Sequence, residues 1–578
     1  MTRLINDPRD FAREMTEGFV AAHPSYVRSV DGGVVRASRL GSGKVAVVIG
    51  GGSGHYPAFA GLVGEGLASG AAMGNVFASP AAEQVATVAR ATERGGGVLL
   101  TYGNYAGDVL NFDEAQERLR ADGVPCETVV VTDDISSAAA GEEGLRRGIA
   151  GDLVVFKCAG AAAEADYPLA EVARVARLAN ARTRTIGAAF SGCALPGETE
   201  PLFAVAAGRM ALGMGIHGEP GIAETDLPTA DGLAEILVER LLAEIPEGIG
   251  DAVGATVVPV LNGLGSVKYE EMFVVYRRVA HLLEHRGVQI VDPQVGEFCT
   301  SFDMAGISLT LFWPDDELLR LWLAPADSPS FRRHGSVKPV DVVDDVVRTA
   351  ASRTAATPQS QELSSRIVGL FEAVADAVDR NADEFGRLDA VAGDGDHGIG
   401  MQRGATAALA AARSEADGGA GAGTVLRHAG EAWAREAGGT SGALWGGALR
   451  AMGELVGDET VPESATVGYI IGAGSRRIQS HGGAHVGDKT MVDAVVPFAS
   501  TLTTELSRGA SLADACASAA RSAVAAAAST ADLLPRVGRA RPHGERSLGT
   551  PDAGAHSFAV IVTAVADTVA ARWGEVDA

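Results

Sequence analysis

Asp389, Asp394 and Asp396 stand within eight residues of one another in the run Leu388-Asp389-Ala390-Val391-Ala392-Gly393-Asp394-Gly395-Asp396-His397-Gly398. A helix would send these carboxylates in different directions, whereas a glycine-punctuated loop can turn them toward one point. Carboxylates at one point repel unless a hard cation sits between them, and Mg²⁺ takes carboxylate and phosphate oxygens. An acidic surface turn would use the same residue types, so the accompanying segments decide. Gly438-Gly439-Thr440-Ser441-Gly442-Ala443-Leu444-Trp445-Gly446-Gly447 offers small residues that let backbone N–H groups approach phosphate oxygens, with Thr440 and Ser441 hydroxyls as further donors. Tight helix packing draws on the same small residues. Gly487-Asp488-Lys489-Thr490-Met491-Val492-Asp493 follows, and then Gly538-Arg539-Ala540-Arg541-Pro542-His543-Gly544-Glu545-Arg546-Ser547. The last segment carries guanidinium groups suited to charge developing on a transferring phosphoryl. An acid trio, a Gly/Thr/Ser segment and an arginine loop in one half of the chain read as a metal–nucleotide site.

The other half carries a different set. Gly50-Gly51-Gly52-Ser53-Gly54-His55 follows the apolar run Val45–Ile49, and a glycine turn after a parallel strand lies where α/β folds bind ligands. It is not a dinucleotide fingerprint, because His55 stands where the third glycine belongs. Gly43-Lys44 is not a P-loop either, since Ser38 and Val45 occupy positions that need Gly and Ser or Thr. Met214-Gly215-Ile216-His217-Gly218-Glu219-Pro220-Gly221 sets an imidazole among glycines and proline, and Asn104-Tyr105-Ala106-Gly107-Asp108-Val109-Leu110-Asn111-Phe112 sets a carboxylate at the start of a helical pattern. A loop histidine bonded to backbone and a helix N-cap are the ordinary uses of these two residues.

The elements around these segments differ between the halves. Val45–Ile49, Val98–Tyr102, Thr128–Thr132 and Leu153–Lys157 read as buried strands, and Ala81–Arg94 and Phe112–Ala121 as helices. That alternation predicts a largely parallel α/β sheet. A second α/β lobe is expected from about Thr183, with strands at Val257–Leu261, Val288–Val291 and Ile307–Phe312. Around 325–360, Pro325, Pro329, Pro339 and Pro358 stand among polar residues with little apolar periodicity, the texture of a linker. From Gln359 onward the spacing is helical, and only Phe558–Val562 reads equally well as strand or helix.

Composition bounds the rest. At 578 residues the chain needs two or more domains. A formal charge of −25 argues against nucleic acid as a partner. Five scattered cysteines (Cys126, Cys158, Cys193, Cys299, Cys516) without CxxC spacing favour reduced thiols and a cytoplasmic setting over disulfides or zinc. The start MTRLINDPRDFAREM has no apolar signal core. The Ala-rich stretch Leu512–Leu534, broken by Asp514, Arg521 and Asp532, reads as a buried helix, so no membrane partner is expected.

These motifs resemble the dihydroxyacetone kinase family, in its ATP-dependent single-chain type. GDGDHG, GGTSGALWGG, GDKTMVDA and GRARPHGERSLGTPDAGA resemble its nucleotide half; GGGSGHYPAF, GNYAGDVLNF, MGIHGEPG and TSFDMAGISLTLF resemble its substrate half. The resemblance spans nearly the whole chain, in family order. It implies a multidomain protein: an N-terminal α/β substrate domain over 1–328 with lobes at about 1–182 and 183–328, a linker at 329–358, and a C-terminal all-α helical-barrel nucleotide domain over 359–576. It implies that His217 attacks a ketone carbonyl and holds the substrate as a hemiaminal. Asp108 would accept the proton of the attacking hydroxyl, with Asp113 a nearby second acid. His55 would polarise the hydroxyl or carbonyl, beside the loop residues Gly52, Ser53 and Gly54. A neutral imidazole is needed for attack, so ketone binding is expected to weaken below about pH 6.

On the nucleotide side the resemblance implies two Mg²⁺ ions on Asp389, Asp394 and Asp396. ATP would run along His397, Gly398, Ile399 and Gly400, with Thr440 and Ser441 at the phosphates and Gly482 and Met491 bordering adenine. Arg539 would lie near the phosphates, and Asp552 in the element Asp552-Ala553-Gly554-Ala555. Three departures stand out. The family pattern K-N-Y-T-G-D has Gly103 for its lysine and Ala106 for its threonine, Ile399-Gly400 replaces Thr-Asn, and Ala553 replaces a proline. Loss of the lysine removes a cation and opens space, which brings a ketotetrose such as D- or L-erythrulose into consideration beside dihydroxyacetone and glyceraldehyde. The expected activity is ATP-dependent phosphorylation of such a hydroxyketone by a homodimer. The rival readings are a phosphocarrier-dependent relative, a lyase cleaving FAD to cyclic FMN, and a non-catalytic ketone-binding relative.

Overall fold

The computed structural model describes residues 4–198, 200–334, 356–393, 395–437, 439–537 and 541–573. The chain divides into two compact units, Met1–Val342 and Val343–Ala578. Residues 335–355, most of the stretch read as a linker, lie outside the described residues.

The first unit holds two main sheets. The first is built from β1 (Val27–Val30), β2 (Gly33–Arg36), β3 (Ala46–Ser53), β4 (Gly70–Val76), β5 (Val98–Gly103) and β6 (Cys126–Val131), in the order β1-β2-β4-β3-β5-β6. β3 pairs in parallel with both β4 and β5, while β1, β2 and β4 pair antiparallel. Successive side chains of a strand point to opposite faces. Val47 and Ile49 therefore join a core with the helix Asp152–Glu164, and Ala46 and Val48 one with the helices Ala82–Thr92 and Ala106–Ala121. Burial on both faces explains why β3 is apolar without alternation. It ends in glycines at the sheet's carboxyl edge.

One expectation needs correction. Leu153–Lys157 is not a strand but part of the helix Asp152–Glu164, whose residues are buried from Asp152 to Ala163. A helix enclosed on all sides shows no polar face, so its short apolar run looks like a buried strand. The second sheet, unlike the first, is mostly antiparallel. It contains β7 (Thr183–Ala189), β8 (Arg209–Leu212), β9 (Ala223–Asp226), β10 (Thr256–Gly263), β11 (Gln289–Ile290), β12 (Gln294–Gly296) and β13 (Gly306–Phe312). Its order is β11-β10-β13-β7-β8-β9, with β12 also on β10. The pairings from β10 through β13, β7 and β8 to β9 are antiparallel, and only β11 and β12 run parallel to β10. Apolar runs mark strands but do not encode their direction.

The second unit is helical throughout its described residues. Its helices are Pro358–Asp389, His397–Asp417, Ala422–Ala437, Gly439–Val456, Ser464–Gly482, Val492–Ser507, Leu512–Ser529 and Ala553–Trp573. Each packs on its sequence neighbours and the last returns to the first, so the helices close into a barrel around an apolar interior of about 530 Å³. The run Phe558–Val562 is helix, inside Ala553–Trp573. That helix is long and apolar enough to cross a membrane by length and composition, and here Phe558, Ile561, Val562 and Val569 are buried in the barrel. Antiparallel succession puts the connections after every second helix at the same end. The Asp389–His397, Ala437–Gly439, Gly482–Val492 and Ser529–Ala553 connections therefore gather there.

Candidate active site

The glycine turn at the end of β3 opens onto a cavity of about 190 Å³ lined by Gly52, His55, Phe77, Ser79, Gly103, Tyr105, Asp108, Asp152, His217 and Glu219, among others. The backbone demands glycine here: a Cβ on Gly52 would lie 2.8 Å from the Ala78 nitrogen. Ser53 and Gly54 do not line the cavity. The Ser53 hydroxyl donates to the Gly74 carbonyl at 2.7 Å, and Gly54 turns the chain at φ +108° beneath the rings of Phe77 and Phe302. Asp113 is exposed on the far side of its helix.

His55 and His217 meet edge to face, with their Nε2 atoms 3.0 Å apart. His55 Nδ1 lies 2.8 Å from the Thr300 carbonyl, which can only accept, so Nδ1 carries the proton. His217 Nδ1 lies 3.1 Å from Glu219 Oε1, and the other oxygen of Glu219 accepts the His217 backbone N–H at 3.0 Å. Burial pulls Glu219 upward, but these bonds from His217 outweigh it and hold the carboxyl at about 2. Ionised Glu219 therefore accepts the hydrogen bond of the His217 Nδ1–H. Burial, then the neighbouring His217, pushes His55 down to about 3. The facing Nε2 atoms, 3.0 Å apart, share one proton, and a ligand entering between them meets one nitrogen suited to an electrophilic carbon and one suited to a hydroxyl proton.

Asp108 sits in the first turn of Ala106–Ala121, three residues after the N-cap Tyr105, so it is not itself the N-cap. Its Oδ1 is buried without a hydrogen-bond partner. Burial raises Asp108 to about 6 against the lowering bond from Ser79. A carboxylate near neutrality with a bare oxygen in a small cavity has the properties of a general base.

In the second unit the gathered connections enclose a cavity of about 320 Å³. Of the nucleotide-side residues singled out above, Asp389, Asp396, His397, Gly400, Thr440, Ser441, Gly482, Met491 and Asp552 line it. Gly398 does not; it seats its helix against Pro358–Asp389, where a Cβ would lie 2.0 Å from the Ala382 carbonyl. Ile399 is 57% exposed and points away. Asp394 and Arg539 lie outside the described residues. Thr440 and Ser441 are in the first turn of Gly439–Val456, so both readings of that segment coexist: a helix N-terminus faces the cavity, and lower down Gly446 packs on Gly430, with room for no Cβ.

The cavity offers the donor types a magnesium–nucleotide would use: Asp389, Asp396 and Asp552 line it together with the Thr440 and Ser441 hydroxyls, while among the described residues no three metal-ligating side chains gather closely enough to hold an ion, and Asp394 lies outside them. Burial, then Asp493 and Asp389, raises Asp552 to about 6. Asp389 Oδ2 accepts the Gly395 N–H at 2.8 Å, which ties the acidic loop to the barrel end. Met401, Leu444, Ile478 and Val492 give the opposite wall an apolar character suited to a base.

Sequence reasoning passed over Glu219, Asp152 and Lys489. Glu219 and Lys489 lay in quoted motifs, but nothing local showed that Glu219 folds back on His217. Nor did it show that Lys489, at φ +59°, is buried with its Nζ donating to the Ser547 carbonyl at 2.7 Å. Asp152 stood one residue before a supposed strand and was passed over with it.

Residues 17–330 match the Dak1 domain and residues 391–567 the DAK2 domain. The chain is 56% identical over 567 residues to the L-erythrulose kinase of Pectobacterium atrosepticum, covering 98% of this chain and 96% of that protein. It is 52% identical over 577 residues to the D-erythrulose kinase of Mycolicibacterium smegmatis, covering 98% and 99%. The crystal structure of the dihydroxyacetone kinase from C. freundii in complex with AMP-PNP and Mg²⁺ is similar at a TM-score of 0.59 and 29% identity, over 98% of this chain and 99% of that one. Both domains are present, in order, on one polypeptide, so this chain is a kinase and belongs to the dihydroxyacetone kinase family, in its single-chain type.

Proposed function

We propose that this kinase phosphorylates a primary hydroxyl of a short-chain hydroxyketone from ATP, the acceptor being a ketotetrose such as D- or L-erythrulose, or dihydroxyacetone. The observation that carries the reading is the convergence of His217 Nε2, His55 Nε2 and Asp108 on one small cavity. In the capture step, the proton shared by the two Nε2 atoms moves onto His55, freeing the His217 Nε2 pair to bond to the carbonyl carbon. The C=O π pair moves to oxygen, which takes that proton from His55, while His217 keeps its Nδ1–H on ionised Glu219, so an N–H has been added across C=O. The new hydroxyl then donates to His55 Nε2. A small polyol offers few contacts, and a covalent link fixes its orientation while demanding a carbonyl. Asp108 removes the proton of the hydroxyl that attacks the phosphoryl.

Asp389, Asp394 and Asp396 would hold magnesium, two ions in this reading, with ATP along His397, Gly400, Thr440 and Ser441 and with Arg539 near the phosphates. Bound magnesium would neutralise charge on the phosphate oxygens. Names of the relatives favour erythrulose, and the AMP-PNP and Mg²⁺ held by the similar C. freundii kinase favour ATP with Mg²⁺. We place the active form as a homodimer. β9 is a sheet edge with all four residues exposed, flanked by exposed Ile222 and Leu227, which supports pairing along that edge. Sedimentation equilibrium should return twice the chain mass, and a monomer at assay concentration would refute this.

The deciding assay is ADP release by the purified protein with ATP and Mg²⁺ on dihydroxyacetone, D-erythrulose, L-erythrulose, D-glyceraldehyde and glycerol. Turnover of a ketone without any carrier protein, and none of glycerol, is the expected result. Failure on every carbonyl acceptor, or equal turnover of glycerol, would sink the reading.

A further inference from the structure

Asp152 is the first residue of the helix Asp152–Glu164 and lines the same cavity as His217 and Asp108. It is only 3% exposed, and its Oδ1 is buried with no hydrogen-bond partner. Buried polar atoms are ordinarily paired, so one left bare beside a substrate cavity points to a partner that arrives with the substrate. Burial, then Asp133 and Asp108, hold its carboxyl well above the usual range. Asp152 and Asp108 are thus two carboxyls in one cavity, and the general-base role needs only one of them, which leaves the other for a second task.

The wall next to it explains what the second task is. Gly103 and Gly148 pack backbone on backbone: a Cβ on Gly148 would lie 2.5 Å from the Gly103 Cα, and one on Gly103 would lie 3.1 Å from the Gly148 carbonyl. Among the described residues lining the cavity there is no lysine or arginine. The side of the cavity near Gly103 thus has no cationic donor, and Asp152 offers a carboxyl in the same cavity.

Resting on the hydroxyketone-kinase reading, we propose that Asp152 is a specificity-determining residue. Its carboxyl hydrogen-bonds the secondary hydroxyl that a ketotetrose carries and dihydroxyacetone lacks. A group that reads a secondary hydroxyl also reads its configuration, so Asp152 sets the preference between D- and L-erythrulose as well.

The test uses the full-length protein and its Asp152→Leu, Asp152→Ala and Asp152→Asn variants. Each is assayed for kcat/KM on both erythrulose enantiomers and dihydroxyacetone, and for ketone affinity by calorimetry without ATP. The unaltered protein should prefer one erythrulose enantiomer over dihydroxyacetone. Asp152→Leu should lose about 10- to 100-fold on that enantiomer and less than about threefold on dihydroxyacetone, because only the first loses a hydrogen bond. Asp152→Asn, which still donates and accepts, should recover most of the loss. Turnover of dihydroxyacetone shows that a variant is folded. Should the leucine variant fail to melt cooperatively, the alanine variant decides by the same ratio. Equal losses on both ketones, an unchanged enantiomer ratio, or a preference of the unaltered protein for dihydroxyacetone would each overturn the role. Absence of ketone turnover by the unaltered protein would instead refute the kinase reading beneath it.

Discussion

His217→Ala is expected to lower kcat/KM for every ketone acceptor by about 10³-fold or more, the scale on which a covalent link replaces weak contacts in orienting a small reactant. The ring stands on four supports that alanine discards: the Nδ1 bond to Glu219, the Nε2 bond to His55 and the edge contacts with Tyr105 and Phe77. None of these belongs to the core of the sheet, so the variant should fold. Its melting temperature should stay within a few degrees of the unaltered protein, as about 1 kcal/mol would shift it little in a chain of this size. The loss should vanish for an acceptor that cannot be captured: residual activity on glycerol should be the same with and without the imidazole. A ketone isotopically labelled at its carbonyl carbon gives an independent readout. In the unaltered protein that carbon should become tetrahedral on binding, and in the variant it should remain a carbonyl. A variant that keeps more than a tenth of the ketone activity, or one that still converts the carbon, would remove His217 from the capture step.

The same cavity shows what the sequence could carry and what it could not. The resemblance proposed His217 as a nucleophile, and the glycine turn at Gly52 marked the sheet edge whose cavity His217 lines, because glycine spacing and a preceding apolar strand are local signals. The pairing of His217 with His55 crosses 162 residues, and the carbonyl that fixes the tautomer of His55 belongs to Thr300, 245 residues away. No periodicity reports such contacts; here the order of the motifs along the chain did. Leu153–Lys157 shows the opposite failure. With every side of the helix buried, the apolar run lost the polar face that distinguishes helix from strand, and Asp152, just before the run, was not seen as the start of a helix. The direction of β13 against β7 and β10 was illegible for a similar reason, since a strand's composition reflects burial and not polarity. The helical half was more readable. Amphipathic helices separated by glycine loops leave a barrel little choice but to gather alternate loops at one end, and the acids, hydroxyls and Lys489 follow. Ser53, Gly54, Gly398 and Ile399 were drawn in by motif membership alone; the first three serve the turn or the packing of the backbone, and Ile399 faces outward.

Asp108→Asn is expected to lower kcat by about 10²- to 10⁴-fold while leaving ketone binding near that of the unaltered protein, the usual size of a general-base contribution. The sign of the pH dependence follows from what holds the proton. Burial raises the Asp108 carboxyl to about 6, more than Ser79 and His217 lower it. The base works only when ionised, so activity is present above that value and falls as the pH drops through about 6. Capture also draws on the His217 Nε2, and the two contributions must be separated. At saturating ketone the imidazole is already engaged, so the limb in kcat reports the captured complex and hence Asp108, whereas kcat/KM reports the free protein. Asparagine keeps the shape and removes the titration. The kcat profile of the variant should therefore be low and flat across this range, while ketone binding itself persists because His217 is intact. An acid limb in kcat that survives in the asparagine variant would assign the base to another group. A collapse of ketone affinity instead of kcat would make Asp108 a binding residue, and the proton of the attacking hydroxyl would then need a different destination.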